Sequence, residues 1–210
     1  MKHFDRKDID QLDKIFRLNL INSVTGIKPA NLIGTQSEEG QTNLAIFSSV
    51  IHLGSNPPLI GMVTRPTGEV PRHTFENIRR SGVYTINAVP LISTKAAHYT
   101  SAKFEEGESE FEACGFNEKY IDGFAAPFVE ESPIQLGLKL RQELPIALNG
   151  TIMLIGEVEH VFVDENAISE QGYLDLEKLD IAGISGLNTY YSLEKSDEYP
   201  YARKGDWSKL

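Results

Sequence analysis

Cysteine is nearly absent from this chain of 210 residues, and its scarcity excludes several classes of protein. Because Cys114 is the single cysteine, no internal disulfide can form, which excludes a disulfide-stapled fold and favours a reducing compartment. Long apolar runs are also missing, so no segment provides the roughly 20 apolar residues of a membrane span. The first residues are polar and charged and lack the apolar centre of a signal peptide. We therefore expect a cytoplasmic protein without membrane association.

Positive charge is scarce as well. The chain carries 20 Lys and Arg residues against 30 Asp and Glu residues, for a formal net charge of -10 at pH 7. This balance makes a nucleic-acid backbone an unsuitable partner, and an anionic small ligand would need a local basic pocket. Hydrophobic residues make up 40% and charged residues 24%, which is the composition of an ordinary globular protein with enough length to bury a core.

The motifs of familiar catalytic machinery are absent from the sequence. There is no Gly-rich dinucleotide fingerprint, no phosphate-binding Walker loop and no Gly-x-Ser-x-Gly, and the five histidines are dispersed. We therefore predict no catalytic side chain and no metal ligand. Cys114 lies between Phe111 and Phe116, where a small buried residue is a more ordinary role for cysteine than a nucleophile.

The hydrophobic pattern predicts one mainly β domain, antiparallel, with short helices inserted, because many short apolar runs are separated by turns rather than by long helices. We divide the chain into an N-terminal helical extension (1–25), a main domain (26–195) and a tail (196–210). Within these parts we expect a packed helix at 8–16, a strand meander over 29–63, a helix ending at Gly82, a solvated loop at 104–112, and strands at 134–140, 146–154 and 156–163.

A local basic cluster stands out against the negative net charge. Thr64 and Arg65 end a predicted strand, and His73 and Thr74 begin a predicted helix with Thr74 as its N-cap. Free N–H groups, the helix dipole and a guanidinium together suit a phosphate. Alternatively, Thr74 only caps the helix and Arg65 is a surface residue. Small polar residues are also dense upstream, around Ser48 and Ser49, where they line a pocket or satisfy backbone groups of a barrel wall.

At these residues the sequence resembles the flavin reductase-like family of flavoproteins. The resemblance runs from about residue 26 to residue 191 and is carried by short motifs in a specific order. Those motifs are GIKPANLIGT (26–35), GQTNLAIFSS (40–49), NPPLIGMVTR (56–65), HTFENI (73–78), YTIN (84–87) and the loop from Thr100 to Phe111.

The resemblance implies an FMN-binding split β-barrel, antiparallel and Greek-key-like, with short peripheral helices. It further implies a homodimer that binds FMN without a covalent bond in a cleft near the subunit interface. The strand residues that would border the ring and ribityl chain are Asn43, Ala45, Phe47, Ser48 and Ser49. The residues that would hold the phosphate or support its turn are Val63, Thr64, Arg65, His73, Thr74 and Asn77. Many relatives carry an acidic residue where this chain has His73.

The function that the resemblance implies is a flavin-dependent oxidoreductase, in which NAD(P)H delivers hydride to FMN and a second acceptor is then reduced. The flavin carries the redox chemistry, which fits the absence of catalytic motifs. The alternatives are an FMN-binding electron carrier that serves protein partners, and a barrel protein that binds another anionic ligand. His98, Tyr99 and Thr100 are candidates for the donor rim, and the segment from Gly183 to Tyr191 either covers the flavin or packs a dimer.

Overall fold

A computed structural model of the chain describes residues 1–66, 68, 72–104 and 107–205. Within these ranges the α-helices are α1 (Arg6–Gln11), α2 (Lys14–Ser23), α3 (His73–Ser81), α4 (Thr94–Tyr99) and α5 (Glu110–Cys114). The first strands are β1 (Lys28–Pro29), β2 (Asn31–Gln36), β3 (Thr42–Phe47), β4 (Val50–Ser55), β5 (Pro58–Thr64) and β6 (Val83–Ala88). The remaining strands are β7 (Glu118–Ile121), β8 (Phe124–Val129), β9 (Ile134–Ile146), β10 (Thr151–Val163), β11 (Ala182–Ser185) and β12 (Thr189–Ser192).

The main sheet has seven strands in the order β3-β2-β6-β9-β10-β5-β4, and every pairing in it is antiparallel. Its two edge strands, β3 and β4, follow each other in the chain and are joined only by Ser48 and Ser49. A link this short spans at most about 11 Å from Phe47 to Val50, so the sheet must curl until its edges meet. The result is a barrel whose seam lies between β3 and β4.

The barrel has an apolar interior that α3 closes at one end. Phe75 and Ile78 of this helix pack against the interior cluster around Met62, Tyr84 and Leu154. Its spacing of apolar residues gives the helix one buried face, and Gly82 ends it in the left-handed conformation with φ of 72°. The predicted helix end at Gly82 is confirmed.

A second cluster lies outside the barrel wall. Leu44 of β3 packs there with Phe111 of α5, Ala97 of α4 and Ile184 of β11. The hairpin β7–β8 covers another part of the wall, where Phe128 is fully buried. Strands β1, β11 and β12 form a separate small sheet. The helices α4 and α5 and the small sheet therefore flank the outer side of β3.

The N-terminal extension differs from its prediction. The expected packed helix at 8–16 is instead two helices, α1 and α2, which are separated at Asp13, the N-cap of α2. Neither helix contains a buried residue, and Ile15 and Phe16 are more than half exposed. The prediction of helical structure is confirmed, but within the described chain no other element buries the apolar face of these helices. No helix in the described ranges combines the length and apolar character that crossing a membrane requires.

Three other sequence predictions are wrong in part. The expected meander over 29–63 is correct in its pairings, β2 with β3 and β4 with β5, but its middle strand is broken into β3 and β4, which lie at opposite edges of the sheet. The expected strands at 134–140, 146–154 and 156–163 are two long strands, β9 and β10, which continue through bulges at Ile155/Gly156 and Val158/His160. The expected solvated loop at 104–112 contains the buried start of α5. Residues 105, 106 and 206–210 of the predicted loop and tail lie outside the described residues.

Candidate functional site

Three element ends meet at the barrel seam: the end of β3 at Phe47, the end of β5 at Thr64, and the start of α3 at His73. The Nε of Arg72 donates to the carbonyl oxygen of Pro66 at 3.4 Å, which places the start of α3 beside the end of β5. At the other side, the backbone N–H of Val63 donates to the Ser49 carbonyl oxygen at 3.1 Å. The two predicted halves of the site, the serine pair and the basic cluster, therefore both lie at the end of β5.

The edge strand β3 turns alternate residues to opposite sides, as the sequence predicted. Phe47 packs on the interior cluster, whereas Leu44 and Ile46 belong to the outer cluster. The Leu44 N–H also points away from β2, since it donates to a side chain of α5 and not to the sheet. Within the strand the outward direction repeats every second residue, so the backbone groups of Ile46 point the same way. The edge of β3 therefore presents backbone hydrogen-bonding groups, whichever side chains the strand carries.

The two serines at the seam have different roles. The Ser49 hydroxyl donates to the Val63 carbonyl oxygen at 2.6 Å and so holds the start of β4 against β5. Ser48 is half-buried and precedes it at the end of β3. Within the described residues the Ser48 hydroxyl, unlike that of Ser49, has no hydrogen-bond partner.

The start of α3 differs in one respect from the prediction. Its N-cap is Arg72 and not Thr74, which is the second residue of the helix. The Arg72 side chain makes no capping hydrogen bond, and the Glu76 carboxylate accepts the Arg72 N–H at 3.3 Å. The predicted N-cap role of Thr74 is therefore wrong. The Thr74 hydroxyl is instead used inside the barrel wall. Without a cap, the first N–H groups of α3, from His73 to Phe75, have no partner within the helix.

Three predicted site residues join a buried polar network. The amide nitrogen of Asn43 donates to the Thr74 hydroxyl oxygen at 3.0 Å and to that of Thr35 at 3.3 Å, and the amide nitrogen of Asn77 donates to Thr35 at 3.2 Å. All four side chains are less than a tenth exposed. The network ties β3 to α3. The structure therefore places Asn43, Thr74 and Asn77 where they support the site from behind.

The exposed predicted residues are the charged ones. Arg65 and His73 are exposed at the end of β5 and the start of α3. Thr64 is buried, and Val63 is half-buried beside the serine pair. The two solvent-facing groups thus carry the positive character of this side of the seam. Arg72 was not among the predicted site residues. Its hydrogen bond to Pro66, the residue after Arg65, brings the exposed ends of β5 and α3 together.

Sequence reasoning missed Glu110, the first residue of α5. Its carboxylate accepts the Leu44 N–H at 2.9 Å, and the residue is 8% exposed. Burial raises the pKa of Glu110, while the Leu44 N–H and the nearby His73 act in the opposite direction. The glutamate-rich composition of 104–112 indicated a solvated loop. The signal that could have located it is the i, i+3 spacing of Phe111 and Cys114, which marks one buried helical face.

The expected donor rim is only partly exposed. Tyr99 is 57% exposed, but Thr100 is buried and its hydroxyl donates to the Ala97 carbonyl oxygen at 2.8 Å, which removes it from a rim. His98 Nδ1 lies 3.3 Å from the hydroxyl of Tyr190, whose ring it meets edge to face. Tyr190 belongs to β12, within the segment 183–191. The predicted donor rim and the segment 183–191 therefore contact each other through His98 and Tyr190.

Cys114 is half-buried and packs against the outer cluster. Burial and the nearby Glu110 both raise the pKa of its thiol, which lowers the fraction of reactive thiolate. This supports the interpretation of Cys114 as a small packing residue.

Comparison with known proteins decides the family. A family model described as the flavin reductase like domain matches residues 27–178. The chain belongs to the flavin reductase-like family. The predicted resemblance and the split-barrel fold are both confirmed.

Solved structures place this flavin reductase-like chain among split-barrel proteins. It is 49% identical to a Shewanella frigidimarina protein provisionally assigned as a flavin reductase with a split barrel domain, with 96% of this chain and 100% of that chain covered and a TM-score of 0.92. Nitrilotriacetate monooxygenase component B from Bacillus cereus is 21% identical, with 95% and 98% covered and a TM-score of 0.83. Flavoredoxin of Desulfovibrio vulgaris (Miyazaki F) is 24% identical, with 84% and 92% covered and a TM-score of 0.72. The last two similarities show a shared fold.

Proposed function

We propose that this protein is an FMN-binding oxidoreductase that takes hydride from NAD(P)H and passes electrons to a second acceptor. The observation that carries the proposal is the uncapped start of α3, with Arg65 and His73 exposed beside it, at the open edge of β3 in a flavin reductase-like fold. An anionic group and a flat ring with hydrogen-bonding edges would find complementary partners there.

The groups at the seam fit FMN. The phosphate suits the first N–H groups of α3, the guanidinium of Arg65 and the ring of His73, because a helix start and an arginine both favour a dianion. The ring edge suits the outward backbone groups of Ile46 and the half-buried Ser48 that follows the end of β3. Ala45, Phe47 and Val63 would shape the wall, and the remaining predicted residues, Asn43, Ser49, Thr64, Thr74 and Asn77, would hold the contacting residues in place.

The chain's own residues bind and orient the cofactor in this proposal. Bound FMN supplies the acceptance and release of hydride, so the protein needs no general acid or nucleophile. Arg65 and the start of α3 would fix the phosphate end, and the β3 backbone would fix the ring. His98 and the exposed Tyr99 would border the donor side, with the Tyr190 hydroxyl orienting the His98 ring.

An electron carrier is the second candidate function. The fold similarity to a flavoredoxin favours it, and the sequence has no nicotinamide fingerprint that would assign the donor. In that case a protein would replace NAD(P)H as electron donor, while the same residues would bind FMN.

We further propose that the protein is a homodimer. The apolar side of α2 and the edge strand β4 both expose large apolar side chains, including Phe16 at 51% and Ile51 at 47%. Exposed apolar surface of this kind favours association. A second copy would also close the open side of the seam.

The first test is a spectroscopic titration of the purified chain with FMN and, separately, with riboflavin. We expect FMN to bind more tightly, because only FMN has the phosphate. Anaerobic NADH and then NADPH should bleach the flavin bands if the protein is a reductase. Bands that persist with both nucleotides would instead support the carrier, and a chain that binds neither flavin would refute the proposal.

The phosphate contact is tested by Arg65→Ala. Loss of one charge-assisted hydrogen bond costs about 1.5–3 kcal/mol, which corresponds to about 10- to 150-fold weaker FMN binding. Riboflavin binding should not change. Arg80→Ala is the matched control, since Arg80 is an exposed arginine in the last turn of α3, at the opposite end of the helix. Equal losses in both variants, or equal losses of FMN and riboflavin affinity in Arg65→Ala, would contradict the phosphate assignment.

A further inference from the structure

Glu110 is unusual because it is a buried acid without a basic partner at bonding distance. Among the described residues it is the only Asp, Glu, Lys, Arg or His that is less than a tenth exposed. Removing a carboxylate from water is costly unless hydrogen bonds compensate. The compensation comes mainly from the main chain: the Leu44 N–H donates to the carboxylate at 2.9 Å, with smaller help from the N–H of Glu110 itself and from the nearby His73. The acid is therefore held in place for a bond to the edge of β3.

This bond is one half of a clamp on consecutive residues of β3. Asn43 is held from the inside by its 3.0 Å hydrogen bond to Thr74 of α3. Leu44 is held from the outside by Glu110 of α5. Thr42 adds another anchor at the same edge, where its hydroxyl donates to the Glu118 carboxylate at 2.7 Å and lies 2.7 Å from the Ser109 hydroxyl oxygen. The first half of β3 is thus fixed on both sides, although it is an edge strand with a partner only at β2.

The clamp lies just before the part of β3 that we assign to the flavin ring. Ile46, the next residue with outward backbone groups, follows Leu44 by two positions, or about 7 Å along the strand. An edge strand without the Glu110 bond could shift or twist outward over this distance. The phosphate contacts lie on α3 and β5, to which Glu110 makes no hydrogen bond, although His73 at the start of α3 is near enough to act on the Glu110 charge.

We propose that Glu110 is a positioning residue that fixes the flavin-facing half of β3, and with it the placement of the ring. The inference rests on the proposed function. Glu110 acts through its hydrogen bond to the Leu44 N–H and touches neither cofactor nor substrate. Removing the acceptor displaces the ring contacts and leaves the phosphate contacts in place.

The test compares Glu110→Met, which removes the acceptor at similar size, with Glu110→Gln, which keeps an acceptor oxygen. Glu112→Met on the same helix is the matched control, because Glu112 is exposed. We expect Glu110→Met to weaken FMN and riboflavin binding by the same factor, about tenfold, the order of one lost hydrogen bond. Its flavin absorption bands should also shift. Glu110→Gln should restore both affinities and band positions, and Glu112→Met should match the native chain.

The outcomes separate this inference from the proposed function. Native chain that binds no flavin overturns both. Native chain that binds FMN, with Glu110→Met unchanged in affinity and bands, overturns the role of Glu110 alone. Loss of FMN affinity without loss of riboflavin affinity also overturns it, since Glu110 would then act on the phosphate side.

If Glu110→Met does not fold, a second variant tests the same hydrogen bond. Glu110→Asp keeps the charge but shortens the side chain by one methylene group, so we expect it to lose the bond and to show the same paired loss and band shift. Native-like binding by Glu110→Asp would refute the inference. Amide exchange at Leu44 gives a readout without cofactor: the amide should be slow in the native chain and in Glu110→Gln and faster in Glu110→Asp.

Discussion

Tyr84 carries a buried hydroxyl that the barrel does not satisfy, and its removal should stabilise the protein. The side chain is 0% exposed inside the barrel, and among the described residues its oxygen has no hydrogen-bond partner. Burial raises the pKa of Tyr84, so the group stays a neutral hydroxyl at any ordinary pH. Tyr84→Phe deletes only the oxygen and keeps the ring.

The size of the effect follows from two opposing contributions. A buried polar group without a partner costs about 1–3 kcal/mol. The oxygen also makes contacts that would be lost, each worth about 0.1–0.2 kcal/mol. We therefore expect Tyr84→Phe to raise the free energy of unfolding by about 0.5–2 kcal/mol. For a chain of this length each kcal/mol corresponds to about 2–4 °C in Tm.

Gly156 of β10, opposite a bulge in β9, provides an internal check on the same contact. A Cβ at this position would overlap the Tyr84 hydroxyl oxygen and would lie 2.9 Å from the ring carbon that bears it. Gly156→Ala should cost about 1–3 kcal/mol through overpacking. In the Tyr84→Phe background the cost should be smaller but not zero, because the ring carbon remains too close. The coupling between the two changes should be about 0.5–2 kcal/mol.

The assay is urea unfolding of the native chain, both single variants and the double variant, followed by circular dichroism. The slope of the free energy against urea should not change, so that a shift in midpoint reports stability. A less stable Tyr84→Phe variant would refute the reasoning, because it would show that the hydroxyl has a partner, such as a buried water. If the effects of Tyr84→Phe and Gly156→Ala on the free energy of unfolding simply add, residues 84 and 156 are not in contact.

Three further changes give distinct outcomes. Gly34→Ala should destabilise the barrel by about 1–3 kcal/mol in thermal unfolding, because a Cβ there would overlap the Pro127 carbonyl oxygen, whereas Gly54→Ala, with only a 3.5 Å neighbour, should cost less. Cys114→Ser should leave turnover per folded protein unchanged, and a loss beyond its stability effect would give the thiol a chemical role. Burial raises the pKa of Glu110 in the folded chain, so the native protein loses stability as pH rises through that pKa. The free energy of unfolding of Glu110→Gln, minus that of the native chain, should therefore be larger at about pH 8 than at about pH 4.5. An equal difference at the two pH values would contradict the raised pKa of Glu110.

The sequence predicted the elements of the barrel better than their pairing. The end of α3 at Gly82 and the strand after it could be located because glycine in the left-handed conformation ends helices. The break in the middle strand of the predicted meander could not be located, because a local apolar pattern does not show where the chain leaves one sheet edge for the other. Ser48 and Ser49 read as the middle of one strand, yet they are the point where the chain leaves one sheet edge and joins the other.

The short motifs located the seam but not the role of each candidate residue. Arg65, His73 and Ser48 lie at the seam. The motifs could not separate Asn43 and Thr74, which bond to each other in the wall, from residues that face solvent. That distinction depends on which side of β3 each residue occupies and on what packs there, which is tertiary information.

Glu110 shows why such information matters for function. Its neighbours in sequence are acidic, and composition therefore favours solvent for the whole segment. In the structure, Phe111 is buried against the outer cluster and turns the start of α5 toward β3. The carboxylate then meets the Leu44 N–H, which would otherwise be an unpaired donor at a sheet edge. The β3 edge has no second strand beside it, and we propose that a ligand binds there. The same edge requires something other than a neighbouring strand to hold it in place, and in this chain a buried glutamate does so.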